Sequence, residues 1–189
     1  PSQTGTAFDP FATFAQALTA AAAADTVRVA SGTYTEPLRI YRPVVVIGDS
    51  GVAGWPRLVV AGAPTIAIDS LPAGAVTVAN LVVAGGSAGV TTGDADVTLR
   101  GLRIAGVAGP GIVARGTRHL AVDRSSVAVP AGRGVDFEGP GAISLSRVTV
   151  SQVPADAGVR IVGAGSVALD SLQVSAVSGD GSPDEAAVR

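Results

Sequence analysis

The sequence predicts an all-β fold, a parallel β-solenoid covered at its N-terminal end by a short helix. Two interleaved repeats and one amphipathic segment carry that prediction. The blocks VTVANLVVAGG (76–86), VTLRGLRIAGV (97–107), LAVDRSSVAVP (120–130), ISLSRVTVSQV (143–153) and VALDSLQVSAV (167–177) begin 21, 23, 23 and 24 residues apart. A near-constant period of this length means stacked, similar coils. Between these blocks lies a second repeat, GVTTG (89–93), GIVARG (111–116), GVDFEG (134–139) and GVRIVG (158–163). Each period therefore holds several short strands joined by glycine-rich bends.

The amphipathic segment comes first. Asp9 and Pro10, followed by Phe11, Phe14, Ala15, Leu18 and Ala22 at helical spacing, predict a helix over 9–24 with Asp9 as its N-cap. The first coil of a solenoid exposes apolar side chains and unpaired backbone groups, and a helix at this place covers them. Asp25 ends the helix and Thr26-Val27-Arg28-Val29 begins the first strand. Ser31-Gly32-Thr33 then turns the chain toward strands at 37–40 and 44–47, where β-branched residues alternate. From Val44 to Val76 the interval is 32 residues, longer than any later period, and the surplus is assigned to a loop at 48–56 (GDSGVAGWP).

Alignment of the later blocks sorts side chains by face, because a strand alternates faces at every residue. Val76, Val97, Leu120, Ile143 and Val167 form one inward column, Val78, Leu99, Val122, Leu145 and Leu169 a second, and Val83, Ile104, Val127, Val150 and Val174 a third. Thr77, Thr98, Ala121, Ser144 and Ala168 then point outward, stacked at about 4.8 Å. On the other strand Val90, Ile112, Val135 and Val159 point in, followed by Thr92, Ala114, Phe137 and Ile161. Arg115 falls beside Glu138 and Asp136 beside Arg160 on adjacent coils, as exposed pairs that set the register.

One domain is expected over 1–177, with the capping helix at 9–24 and coils over 26–177, followed by a tail or linker at 178–189. The chain starts at Pro1 and is read as a processed or excised form. Hydrophobic residues make up 47% and charged residues 15%, which suits a continuous buried interior. Every apolar run is interrupted before it reaches spanning length, so membrane insertion is not expected. A net charge of −2 with scattered arginines and no basic run argues against a nucleic-acid partner. The absence of cysteine excludes disulfides, thiol catalysis and Cys-ligated zinc.

The stretch from Asp9 to Ser50 resembles the opening of bacterial right-handed parallel β-helix proteins of the pectate-lyase-like superfamily. The resemblance lies in a leading helix, then Asp25-Thr26-Val27-Arg28-Val29, Gly32-Thr33-Tyr34, Glu36 and the strand Val44–Gly48. It implies a single-stranded right-handed parallel β-helix with an N-terminal capping helix, in a superfamily that includes pectate lyases, pectin methylesterases, polygalacturonases, phage tailspikes and surface proteins. Fold alone does not choose among these.

Hydrolysis of a polysaccharide needs two or three carboxylates held together, and the outward carboxylates here are dispersed. Gly134-Val135-Asp136-Phe137 resembles the nucleophile strand of pectin methylesterases, which makes Asp136 the catalytic candidate, although Glu138-Gly139 departs from that pattern and the esterase's paired glutamine and second aspartate are missing. The other reading of Asp136 is an outer-face ladder residue. Asp94 and Asp96, in a Gly-Asp-Ala-Asp bend, are the metal candidates, against the commoner role of solvated turn formers; calcium wants six to eight oxygens. His119, the only histidine, is placed in a turn without a second nitrogen ligand nearby. Trp55, Tyr34, Tyr41 and Arg57 are the ligand-binding candidates, with the alternative that Trp55 folds its loop onto the solenoid. No cofactor is expected.

These readings predict a non-catalytic, exported β-solenoid at a bacterial cell surface, acting as a structural or interaction module. Its partners are expected to be copies of itself, stacked end to end into filaments, or another surface protein. The alternative is a carbohydrate-binding or carbohydrate-active β-helix with polysaccharide as partner, as a fragment of a larger lyase- or esterase-like enzyme.

Overall fold

The computed structural model describes residues 4–52, 54–153 and 158–176. They form an all-parallel β-solenoid of about six turns. Coil 1 holds β1 (Thr26–Val29), β2 (Thr33–Tyr34) and β3 (Leu38–Ile40). Coil 2 holds β4 (Val45–Gly48), β5 (Arg57–Val60) and β6 (Ile66–Ile68), and coil 3 holds β7 (Ala75–Ala79), β8 (Val82–Gly85) and β9 (Val90–Thr92). Coil 4 comprises β10 (Asp96–Arg100), β11 (Arg103–Ala105) and β12 (Ile112–Arg115); coil 5 comprises β13 (His119–Asp123), β14 (Ser126–Ala128) and β15 (Val135–Glu138). In coil 6 the first two strands merge into β16 (Ala142–Val153), followed by β17 (Val159–Val162), and β18 (Ser166–Ala176) opens the next turn. The first and second strands of the coils join in one 12-stranded sheet through β16, and the third strands form a separate sheet of six.

The predicted columns are the registers of these sheets. Val76 pairs with Val97, then Leu120, Ile143 and Val167. Val90, Ile112, Val135 and Val159 do the same on the other sheet. Inward side chains in coils 3 to 5 are almost fully buried, with Phe137 the largest of them, and in coil 6 Ile161 is partly buried. The 32-residue second period comes mainly from an eight-residue connection between β4 and β5, where coils 3 to 5 use two residues at the same corner. Gly48 begins that excursion because there is no room for a side chain. A Cβ there would lie 2.1 Å from the Asn80 carbonyl oxygen of the coil above.

The capping helix α1 is shorter than predicted, spanning Phe14–Ala20. Its N-cap is Thr13, not Asp9. The Thr13 hydroxyl accepts from the Gln16 N–H at 3.1 Å and the Gln16 side chain accepts from the Thr13 N–H at 3.3 Å, the reciprocal pattern of a capping box. Asp9 instead accepts from the Thr4 N–H at 2.8 Å and closes a small bridge before the helix. At the other end Ala21 leaves the helical region, and Ala24 (φ +66°) turns the chain so that its N–H reaches the Pro43 carbonyl.

Tyr34 and Glu36 of the first coil hold this helix down. The Glu36 carboxylate accepts from the Phe14 N–H at 2.8 Å, and the Tyr34 ring lies 5.0 Å from that of Phe14. Phe14 and Leu18 are buried against the first coil. At the C-terminal end the same inward columns emerge uncovered among the described residues: Val167 is 49% and Leu169 45% exposed. The predicted tail, 178–189, lies outside the described residues, as does Val177.

Two substitutions test this packing by urea denaturation. Phe137→Ala should cost about 3–5 kcal/mol, as for other fully buried aromatics. Gly48→Ala should cost about 1–3 kcal/mol through overpacking against the Asn80 carbonyl; an unchanged midpoint would show that the β4 corner is free to relax.

Candidate functional site

From coil 3 onward, the corner between the first and second strands is a single column of left-handed residues. Asn80 (φ +59°), Gly101 (+58°), Arg124 (+48°), Arg147 (+53°) and Ser171 (+54°) stack there from coil to coil. Asn and Gly tolerate this conformation, whereas an ordinary L-residue meets its own Cβ against the following carbonyl, at about 1–2 kcal/mol. Arginine has no intrinsic reason to occupy it, yet two successive coils put one there.

Those two arginines line a lateral groove of about 350 Å³ together with Trp55, Arg103, Ser126 and Thr149. Trp55 reaches it from the long β4–β5 connection, and its ring is half-buried, with the Arg103 guanidinium carbon 4.8 Å from the ring centroid. Arg103, Ser126 and Thr149 are consecutive rungs of one outward column. Beside the groove stands Asp123, which forms ion pairs with Arg100 (3.6 Å), Arg124 (3.1 Å) and Arg147. The hydrogen bond from Arg147 holds the Asp123 carboxyl below the usual aspartate range; burial opposes this, and the charges of Arg147 and Arg124 add to it. Three arginines thus share one carboxylate, and a fourth, Arg103, stands over the Trp55 ring, on a chain whose formal charge is −2.

Asp136, the sequence's catalytic candidate, lies on the opposite sheet in β15. It is not an exposed ladder residue: its side chain is only 5% exposed, because guanidinium groups from three coils close over it. Arg115 binds Oδ2 at 2.6 Å, Arg133 approaches the same oxygen at 3.5 Å, and Arg160 binds Oδ1 at 2.9 Å. Burial pushes this carboxyl up, but hydrogen bonds from Arg115 and Arg160, with their charges, outweigh it and leave the pKa lowered. Arg160 also bridges to Glu138 at 3.1 Å and Arg115 to Glu138 at 3.6 Å, so the cluster ties coils 4, 5 and 6 together. Chemically this is a carboxylate fixed in its anionic form with both oxygens engaged.

The acids of the metal candidate, Asp94 and Asp96, are brought together, but around a guanidinium. Arg118 binds Asp94 at 2.8 Å and Asp96 at 3.3 Å, and its own Nη1 donates to the Leu71 carbonyl at 2.9 Å. Among the described residues no three His, Cys, Asp or Glu side chains gather as metal ligands would. His119 is not in a turn; it is the first residue of β13, between Asp96 and Ala142 in the ladder.

The four ligand-binding candidates are dispersed. Tyr34 faces α1, donating its hydroxyl to the Ala30 carbonyl at 2.9 Å, and burial followed by the charge of Glu36 raises its pKa. Tyr41 meets Thr19 of the helix at 3.2 Å between hydroxyl oxygens and lies under Arg42. Arg57 shares the outward column of Arg103 but is two coils away from it. Trp55 alone of the four lines the groove, and it does fold onto the solenoid there. The groove's arginines escaped sequence reasoning even though Arg124 and Arg147 occupy equivalent positions in their repeats. That coincidence was the available signal.

The two lowered carboxyls predict an acid-sensitive fold. A carboxylate whose folded pKa lies below its unfolded value of about 3.9 stabilises the protein above that pH, and the contribution is lost as pH falls through the folded pKa. Stability should therefore decline below about pH 4. Asp136→Asn should flatten that acid limb and cost about 1–3 kcal/mol at neutral pH, less than for a fully dry pair because the arginines keep contact with water. Urea midpoints from pH 7 to pH 2.5 measure both effects.

No curated protein and no solved structure matches this chain significantly. A family model does, over residues 1–162, which include every residue of the groove and of the Asp136 cluster, and the chain belongs to that family, described as protein of unknown function (DUF1565).

Proposed function

We propose that the chain is a non-catalytic, exported interaction module at a bacterial cell surface, and that it pairs with a second copy of itself through β18. The observation that carries this reading is the uncovered last strand. β18 pairs with β16 on one side, and among the described residues nothing pairs with its other edge. Its inward residues Val167 and Leu169 expose about half their surface, whereas Leu145, one coil earlier in the same column as Leu169, is fully buried. Long apolar edges of this kind are templates for another strand.

The two ends differ, and that decides the geometry. Helix α1 packs on β3 of the first coil, and the terminal strand β1 at that end is only four residues long against the eleven of β18, so it matches little of the β18 edge. Two β18 strands running antiparallel satisfy each other about a twofold axis, and such an interface closes on itself. This reading is therefore a closed pair in place of the end-to-end filaments expected from the sequence. The export and surface location rest on the likeness of residues 9–50 to bacterial pectate-lyase-like domains. The carbohydrate alternative draws on Trp55 alone, because Tyr34 and Tyr41 are turned to the helix.

Light scattering across a concentration series tests the pairing. The expected result is twice the chain mass at high concentration, and the single mass for Leu169→Asp with an unchanged thermal midpoint when dilute. A single mass throughout overturns the proposal. So does a chain lacking 178–189 that dimerises when the intact chain does not, since that assigns the edge to the chain's own C-terminal stretch.

A further inference from the structure

The β18 edge faces along the solenoid axis, whereas the Trp55 groove opens on its side. A different set of observations bears on the groove. Its three cations differ in how they are compensated. Arg124 and Arg147 share Asp123, and Arg103 has no ion pair among the described residues, only the Trp55 ring. The Asp123 carboxylate is also claimed by Arg100. The charge left over is directed at one recess.

The donors around that recess suit a particular chemistry. Each guanidinium has more N–H groups than Asp123 can accept, in a planar fork that matches two oxygens of one oxyanion. The Ser126 and Thr149 hydroxyls stand on the rungs above Arg103 and make no hydrogen bond to another described residue. Ser125, by contrast, is already spent: its buried hydroxyl accepts from the Leu102 N–H at 3.1 Å and donates to the Asp123 carbonyl at 2.9 Å. The backbone adds an independent observation. Arg124 and Arg147 hold a left-handed conformation that Asn80 and Gly101 fill without strain at the same corner. Like charges on successive rungs, about 4.8 Å apart, add a further cost. A position where both backbone and charge are unfavourable is one where selection for a ligand is the economical explanation.

We infer that the groove between Trp55 and Arg103, Arg124 and Arg147 is a binding site for a phosphate or sulfate group. The three guanidinium groups supply the charge, and Ser126 and Thr149 supply neutral donors. The groove's volume of about 350 Å³ exceeds what a bare tetrahedral ion fills, so an ester with a compact body beside Trp55 is accommodated.

Trp55 is the only tryptophan in the chain, so its fluorescence reports on this site and no other. Titrations with inorganic phosphate, sulfate, glucose 6-phosphate and glucose 6-sulfate, each against sodium chloride at equal ionic strength, should give saturable changes with at least one oxyanion and none with chloride. Tighter binding of an ester than of its free ion identifies the body-bearing source; equal binding identifies the ion itself. Arg124→Asn and Arg147→Asn should each weaken binding by about tenfold or more, the scale of one lost charge-assisted contact. Asparagine keeps the left-handed corner, as Asn80 does, so melting temperature separates lost binding from lost fold. Arg28→Asn, at the exposed pair with Asp49, should leave binding unchanged. Responses that match chloride for all four compounds, or undiminished binding in both groove variants with their folds intact, overturn the inference.

Discussion

Everything in this molecule follows from the parallel ladder. Each coil is hydrogen-bonded to the next through strands in register, for example Ile112 to Gly134 and Val135 to Gly158 across successive coils. A residue is therefore always about 4.8 Å from its equivalents above and below. The ladder makes no allowance for local taste: whatever stands at a rung must tolerate its own column. Apolar columns satisfy this by burial, which is why Val76, Val97, Leu120 and Ile143 can be similar without being identical. Polar columns satisfy it by pairing opposite charges, and Arg115, Asp136 and Arg160 on three successive coils do so.

That constraint explains which features were legible in the sequence. Inward columns repeat, so their period announced the fold, the strand faces and the long second coil. Burial of Asp136 did not announce itself, because it comes from arginines on three different coils converging on a carboxylate that alternation places outside. A charged side chain is buried here by its partners' length, not by the strand's face. The start of the helix was misplaced for a different reason. Asp9-Pro10 has the chemistry of a helix start, but Thr13 and Gln16 have the chemistry of a reciprocal cap, and only the second is reinforced from outside, by Glu36.

The ends of a ladder are its other consequence. An interior coil is covered on both sides, a terminal one on one side only. At the N-terminal end the chain supplies Phe14 and Leu18 from a helix, with Tyr34 and Glu36 fastening it. At β18 the same columns continue to Val167 and Leu169 with about half their surface open. The contrast between a fastened and a bare end gives the solenoid a direction.

The corner between first and second strands shows the ladder being overruled. Its column requires left-handed backbone, and coils 3 and 4 meet the requirement with Asn80 and Gly101. Coils 5 and 6 place Arg124 and Arg147 there, where neither backbone preference nor the repulsion between neighbouring rungs favours arginine. Asp123 relieves part of that repulsion, and its lowered pKa reflects how strongly the surrounding cations hold it ionised. It cannot neutralise them all. Elsewhere in the solenoid, arginines that cross coils find carboxylates, as Arg28 does with Asp49 and Arg39 with Asp69. Arg103 and, two coils away in the same column, Arg57 have no such carboxylate among the described residues, and in the groove Arg103 meets the Trp55 ring instead, beside two arginines that share a single Asp123.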